Sequence, residues 1–208
     1  MIESTFKYGN VELTYLKHAG FKIKGTNAIL YIDPYEIDVE MEKADVILVT
    51  HDHFDHLDLN SIGKLSKSDT IIVHPRGCKV SGYETLAVSI GAKIEVKGVE
   101  IEAVPAYNVN KPFHRKGVGV GYVVKIDDVR IYHAGDTDRI PEMKKLNVDI
   151  ALLPIGGTYT MDIDEAIKAA GDIKAKYYIP MHYGVISGTE ADPNKFNVEG
   201  AIILKPLL

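Results

Sequence analysis

Residues 45–56 read Asp45-Val46-Ile47-Leu48-Val49-Thr50-His51-Asp52-His53-Phe54-Asp55-His56, an apolar run followed directly by three histidines and two further acids. The apolar run predicts a buried strand, so the polar residues fall in the loop at its carboxyl end. A loop in that position can gather ligands around a cation without breaking the hydrogen bonds of a sheet. Three of the eight histidines of the chain lie in this loop. The stretch therefore predicts a metal site.

The spacing of the ligands suggests two neighbouring metals. His51 and His53 are two residues apart and point the same way if the backbone is extended. Asp55 and His56 are adjacent and diverge unless the chain turns into a helix, and residues 58–65 have the composition of a short one. We expect His51 and His53 to bind one metal, and Asp55 and His56 the other.

Three segments of the chain resemble one known family. Residues Thr50 to His56 match Thr-His-x-His-x-Asp-His, the signature of the metallo-β-lactamase-fold hydrolases. Tyr132 to Thr137 and Pro180 to Gly184 resemble the later ligand motifs of the compact branch that contains the ascorbate-phosphate lactonase UlaG. The resemblance covers nearly the whole chain. It implies an α/β (α+β) fold, a four-layer αββα sandwich of two mixed β-sheets flanked by helices.

The resemblance extends the ligand set to two later residues. It implies that Asp136 is the carboxylate that bridges both metals and that His182 binds the second metal. From local sequence alone, Asp136 is equally well read as a turn or helix-capping residue. Asp55 and Asp136 are the expected catalytic residues within this set.

One position departs from the family pattern. These hydrolases usually place a third histidine for the first metal after the strand that corresponds to Val99–Val104, and Asn108 stands there. Asparagine is a weak neutral ligand that replaces imidazole poorly on zinc. We expect His114, six residues on in a loop with glycine and proline, to be the displaced ligand, with Asn108 as a substrate or supporting contact. A solvated basic loop, or a site that holds one metal tightly and one loosely, are the alternatives.

Two residues are expected to support the ligands. A metal-bound imidazole normally donates its other N–H group to a carboxylate or carbonyl. Asp33, before Pro34 at the end of an apolar run, resembles a buried aspartate that plays this part in the family. His18 resembles a histidine frequent near the site in this branch. Either could instead be an ordinary turn residue.

The ligand types indicate the chemistry. Mixed imidazole and carboxylate ligation suits two Zn²⁺ ions, with Mn²⁺, Fe²⁺ or Ni²⁺ compatible in ligand type. Such a pair generates a metal-bound hydroxide at neutral pH, which attacks a lactone, ester or phosphodiester. A di-iron redox enzyme is the first alternative, although the flavo-diiron proteins carry Glu where His53 stands. A non-catalytic metal-binding protein is the second, motivated by Asn108.

Composition narrows the remaining possibilities. A chain of 208 residues with 46% apolar residues can bury a core as a single domain over residues 1–208. The net charge of −5, with dispersed charges, argues against a nucleic-acid partner. No apolar run approaches the roughly 20 residues that cross a membrane. The only cysteine, Cys78, cannot form an internal disulfide, which fits the cytoplasm.

The substrate and the oligomeric state are open from sequence. A small molecule is expected as the partner, and Lys111, Arg115 and Lys116 beside the proposed ligand loop could attract an anionic one, or could be a solvated run. A homo-oligomer is compatible with Leu207-Leu208, which could dock onto a neighbouring subunit or fray.

Secondary structure is predicted as strands early and as alternating strands and helices later. Residues 81–90 are ambiguous between strand and helix. A helix is expected over Asp162 to Ala170, and a terminal strand over Ala201 to Pro206. The alternation favours parallel strands joined by crossover helices.

Overall fold

The computed structural model describes residues 3–208, which form two β-sheets. The first sheet has seven strands in chain order. They are β1 (Thr5–Tyr8), β2 (Val11–Lys17), β3 (Gly20–Lys24), β4 (Ile29–Ile32), β5 (Val46–Leu48), β6 (Ile71–Pro75) and β7 (Glu84–Val88). The pairs from β1 to β4 are antiparallel, and those from β4 to β7 are parallel.

The second sheet has six strands in the order β13-β12-β11-β10-β9-β8. They are β8 (Lys93–Val96), β9 (Val99–Pro105), β10 (Val120–Ile126), β11 (Val129–His133), β12 (Ile150–Pro154) and β13 (Tyr177–Met181). The strands from β8 to β11 pair antiparallel, and β11, β12 and β13 pair parallel. Both sheets are therefore mixed, as predicted.

Two α-helices flank the sheets, and each begins at a capping aspartate. In α1 (Leu59–Leu65) the Asp58 side chain accepts from the Asn60 N–H group, and in α2 (Ile163–Asp172) Asp162 accepts from the Glu165 N–H group. These caps satisfy N–H groups that have no partner inside the helix. Short 3₁₀ helices cover Pro141–Lys145 and Pro193–Lys195. Among the described residues, no helix combines the length and apolarity needed to cross a bilayer.

Alternation along β5 divides its side chains between two apolar layers. Val46 and Leu48 join the large core that residues of both sheets share. Ile47 packs on the other face with Ile62 and Leu65 of α1. A strand buried on both faces reads as a continuous apolar run, which explains the sequence before the histidine loop. The predicted sandwich of two mixed sheets with outer helices is confirmed.

Two segments differ from, or complete, the sequence prediction. The ambiguous residues 81–90 contain strand β7, which pairs with the open edge of β6. The terminal strand predicted over Ala201 to Pro206 is wrong, because only Ala201 forms an isolated bridge, with Tyr178. Pro206 has no N–H group to continue a ladder. Beyond it, the Leu207 and Leu208 N–H groups donate to the Leu16 carbonyl, so the terminus docks on its own chain.

The topology brings the predicted ligand loops to one edge. In parallel strands the carboxyl ends lie on the same side, and the loops after β4, β5, β11 and β13 all leave from such ends. Two bonds join the sheets there: the Tyr122 hydroxyl donates to the Val49 carbonyl at 2.9 Å, and the Val120 N–H group donates to the Thr50 carbonyl at 2.9 Å.

Candidate metal centre

The histidine loop is shaped by one turn and one buried carboxylate. The His56 and Leu57 N–H groups donate to the His53 carbonyl at 3.0 and 2.8 Å, which turns the chain toward α1. Asp33 accepts from the Thr50 N–H group at 2.8 Å and from the Thr50 hydroxyl at 2.6 Å. The loop is thereby fixed where it leaves β5.

Three imidazoles form a first ligand group. The Nε2 atom of His51 lies 3.1 Å from Nδ1 of His53, which lies 3.2 Å from Nε2 of His114. His51 and His114 are buried, whereas His53 is exposed at the mouth of the site. The structure thus brings His114 from the loop between β9 and β10 to the two histidines of the hexapeptide.

A second ligand group lies beside the first. The Oδ2 atom of Asp55 lies 3.4 Å from Nε2 of His56 and 3.8 Å from Nε2 of His182. His18 joins this group, with its Nε2 atom 3.0 Å from the same oxygen. All four residues are buried.

Asp136 lies between the two groups and contacts both. Its Oδ1 atom is 3.3 Å from Nε2 of His56, and its Oδ2 atom is 3.0 Å from Nε2 of His182 and 3.1 Å from Nε2 of His114. The preceding Gly135 has φ +62°, and a Cβ atom there would lie 2.8 Å from the Val120 carbonyl oxygen. Glycine is therefore required for the turn that carries Asp136 to the centre.

The buried atoms at the centre fit a metal. Nε2 of His56, Nε2 of His182 and Oδ1 of Asp136 are buried and make no hydrogen bond with any described residue. Buried polar atoms normally have partners, so three such atoms together mark a binding site. Two ligands about 2.0–2.1 Å from one tetrahedral zinc ion lie roughly 3.3 Å apart. The observed separations of 3.0–3.9 Å around Asp136 match that spacing.

Hydrogen bonds outside the centre set the ring tautomers. Nδ1 of His56 donates to Asp33 at 2.6 Å, Nδ1 of His51 donates to the Thr50 hydroxyl at 3.0 Å, and Nδ1 of His114 donates to Oδ1 of Asn108 at 3.2 Å. Each ring then presents an Nε2 lone pair to the centre, which is the form that binds metals.

Electrostatics keep most of the ligands in their metal-binding protonation state. Burial lowers the pKa of His51 and His53, so both rings are neutral near pH 7. Burial alone would raise the pKa of Asp136, but His182 and His56 outweigh it and hold that carboxyl ionised. His56 is the exception, because Asp136 and Asp33 raise its pKa against the effect of burial. A cation placed between these carboxylates would compete directly with that proton.

The predicted supporting residues contact the ligands, and two of them adopt unusual backbone conformations. Asp33 (φ 46°) accepts from His56, and His18 (φ 57°) contacts Asp55. His182 also has a positive φ, of 58°, and its N–H group donates to the His18 carbonyl at 2.6 Å. Non-glycine residues in this region cost about 1–3 kcal/mol each and cluster at functional sites.

Asn108 lies behind His114 and does not face the centre. Its Oδ1 atom accepts from the His114 backbone N–H group at 2.9 Å as well as from the ring. Its Nδ2 group donates to Asp138 at 3.1 Å and to the Tyr159 carbonyl at 3.0 Å. Of the two contacts expected for Asn108, the structure shows the supporting one.

Asp138 is a functional candidate that the sequence analysis missed. It is buried and accepts from Asn108, from the Val109 N–H group at 2.8 Å and from Nζ of Lys111 at 2.8 Å. It follows Asp136 by two residues, so a second acid in that motif was the available signal. Asp138 fixes the loop that carries His114.

The basic residues near this loop are mostly paired. Lys111 binds Asp138, and Lys116 lies 3.2 Å from Glu142. Arg115 makes no ion pair with the described residues. The remaining histidines lie apart from the centre: His74 bonds the Pro75 carbonyl, and His133 bonds the Ala19 carbonyl.

Two cavities open on the centre from different sides. The first, of about 260 Å³, is lined by His53, Phe54, Asp55, Phe113, His114, Asp136, Tyr159, His182 and Ile186. The second, of about 250 Å³, shares His53, Phe113, His114 and Asp136 and includes Arg115. Each is close to the lower limit of about 300 Å³ that is typical of small-molecule sites.

Comparisons with known proteins agree with this geometry. Residues 12–182 match a family model described as "Beta-lactamase superfamily domain". A UPF0173 metal-dependent hydrolase from Pyrococcus furiosus is 37% identical over 220 residues, covering 94% of this chain and 97% of that protein. Another from Archaeoglobus fulgidus is 35% identical over 225 residues, covering 94% and 96%.

A solved structure gives the same result. The crystal structure of a Parabacteroides distasonis protein, assigned as a metal-dependent hydrolase, superposes with a TM-score of 0.83 at 31% identity. The alignment covers 99% of this chain and 100% of that one. The chain belongs to the β-lactamase superfamily, among the UPF0173 metal-dependent hydrolases.

Proposed function

We propose that this enzyme is a dinuclear zinc hydrolase that cleaves an ester, lactone or phosphodiester bond in a small molecule. The contacts of Asp136 are the main support, because one carboxylate reaches His114 in the first ligand group and His56 and His182 in the second. A carboxylate between two sets of ligands is suited to bridging two cations. We further propose that the enzyme is one catalytic domain, since residues of both sheets share a core.

Zinc is favoured by the donor set. Five of the seven proposed ligands are imidazoles, and the other two are carboxylates. They are His51, His53 and His114 for one metal, Asp55, His56 and His182 for the other, and Asp136 for both. Calcium and magnesium prefer oxygen ligands, whereas zinc accepts imidazole and carboxylate together.

The residues of the chain divide the work of hydrolysis. Zinc supplies Lewis acidity and lowers the pKa of water from 15.7 toward about 7. Asp55 lines the first cavity, and although burial raises its pKa, His18 and His56 lower it further, so the carboxylate is ionised. An ionised Asp55 can accept a hydrogen bond from the attacking water and orient it toward the substrate. Asp33 and Asn108 hold His56 and His114 in place.

Metal analysis with a hydrolysis screen tests this proposal. The purified enzyme is expected to contain close to two zinc ions per chain and to hydrolyse at least one of a panel of esters, lactones and phosphodiesters. Chelation, His51→Ala and Asp136→Ala should each abolish that activity. His74→Gln is the matched control, since His74 lies outside the centre. Full turnover by rigorously demetallated enzyme would refute the proposal.

A further inference from the structure

The first cavity has one chemical character once the proposed ligands are set aside. The remaining lining residues are Phe54, Phe113, Tyr159 and Ile186, all apolar or aromatic. No lysine or arginine lines this cavity. A substrate group that enters it therefore meets apolar surface on one side and the metal centre on the other.

The aromatic part of this wall is ordered by contacts within the protein. The rings of Phe113 and Tyr159 meet edge to face with centroids 4.9 Å apart. The Tyr159 hydroxyl donates to the Ser187 carbonyl at 3.3 Å, so it is directed away from the role of recognising a ligand. The Tyr159 carbonyl also accepts from Asn108 and His114. The wall is thus tied to the same loop that carries a proposed ligand.

The exposure of the wall is unusual for large apolar side chains. Phe54 is 67% exposed and Phe113 is 42% exposed, and both lie at the mouth of the site. Single exposed apolar residues are ordinary on protein surfaces, but several around one polar centre indicate a binding site. The nearby cations are directed elsewhere, because Lys111 and Lys116 pair with Asp138 and Glu142 and Arg115 lines the second cavity.

We infer that the substrate carries an uncharged aryl or branched alkyl group that binds against Phe54, Phe113, Tyr159 and Ile186 while the bond to be cleaved lies at the metal centre. This inference rests on the proposed hydrolase function and specifies its substrate class. Apolar burial and ring contacts supply the recognition, since no charged side chain is available in the cavity apart from the proposed ligands.

Paired esters test the inference. Zinc-loaded enzyme is assayed with benzyl acetate against 2-methoxyethyl acetate, and with ethyl phenylacetate against ethyl acetate. In Phe113→Ala, kcat/KM for the apolar member of at least one pair should fall roughly tenfold relative to its partner. Dividing the ratio for the variant by that for the wild type cancels the intrinsic reactivity of each ester.

Two further variants guard against indirect effects. Ile186→Asp places a charge in the cavity from a loop that carries none of the proposed ligands, and it should lower the same ratio. Leu86→Ala is the matched control, because Leu86 is 41% exposed but lies on edge strand β7, and it should leave the ratio unchanged. The zinc content of each variant is measured beside its activity.

A binding measurement separates this inference from the hydrolase proposal. Phenylacetamide, an uncharged aryl amide, is titrated into the zinc-loaded wild type and Phe113→Ala and followed by NMR. Binding that weakens roughly tenfold in the variant supports the aryl site even if no ester is cleaved. Ester hydrolysis with ratios unchanged in both cavity variants would overturn the inference while leaving the hydrolase function intact. Failure of phenylacetamide to bind, with no ester cleaved, would overturn the inference as well.

Discussion

Asn108 holds His114 at two points: its Oδ1 atom accepts from the His114 backbone N–H group at 2.9 Å and from Nδ1 of the ring at 3.2 Å. The asparagine thus occupies the position expected for a ligand, while the imidazole six residues later reaches the centre. The loop between them closes on itself, since the Asn108 N–H group donates to the His114 carbonyl at 2.8 Å.

Replacing His114 should remove one metal. In His114→Ala, the first group retains only His51 and His53 beside Asp136, and zinc content should fall from about two ions per chain toward one. Asn108→Ala should instead keep both metals and weaken one, because it removes only the acceptor that orients the ring. Metal analysis after dialysis against graded zinc concentrations measures both effects. Two zinc ions bound with unaltered affinity in His114→Ala would show that His114 is not a ligand.

The buried acid behind this loop should tune the affinity of the same metal. Asp138→Asn removes the charge that holds Lys111 at 2.8 Å and weakens the support of Asn108. Changes at supporting residues typically cost 10–100-fold in metal affinity, and we expect a loss of that order for one of the two ions. Competition with a chromophoric chelator gives the affinity. Asp149→Asn, which breaks the pair with Lys176 away from the centre, should leave it unchanged.

Metal binding should stabilise the fold. A ligand present at 100 times its Kd contributes about 2.7 kcal/mol to the free energy of unfolding. For a chain of this size that corresponds to a rise of roughly 5–10 °C in Tm. Thermal unfolding with zinc and with chelator measures the difference. Asp136→Asn should show a much smaller zinc-dependent rise, because the residue that contacts both groups is changed, and an undiminished rise would argue against bridging.

The only cysteine should be unreactive in the native protein. Cys78 is buried, and burial raises the pKa of its thiol to about 12, so the reactive thiolate is scarce near pH 8. Alkylation by iodoacetamide should be at least tenfold slower in native protein than in guanidinium. Since the unfolded thiol ionises near 8.5, Cys78 should also make folding less favourable as the pH rises above that value. Equal alkylation rates in the two states would contradict the burial of Cys78.

The sequence determined much of this protein because two of its signals are local. The alternation of apolar residues predicts strands wherever they are long enough, and the hexapeptide after β5 sets ligands at fixed spacing on a strand-end loop. The strand at residues 84–88 was ambiguous because its pattern is weak, and the free edge of β6 decided it. The end of the chain was mispredicted because Ala201 has a partner in β13 and the residues after it do not continue the ladder.

Tertiary structure decided the contacts that no spacing encodes. The approach of His114 to Asp136, the placement of Asp138 behind it and the sequestering of Lys111 depend on how the loop between β9 and β10 folds across the centre. Such a loop has many conformations of similar local energy, and only the packing around it selects one. A strand-end motif keeps its geometry because the sheet beneath it is rigid, which is why the hexapeptide could be interpreted from sequence and the loop could not.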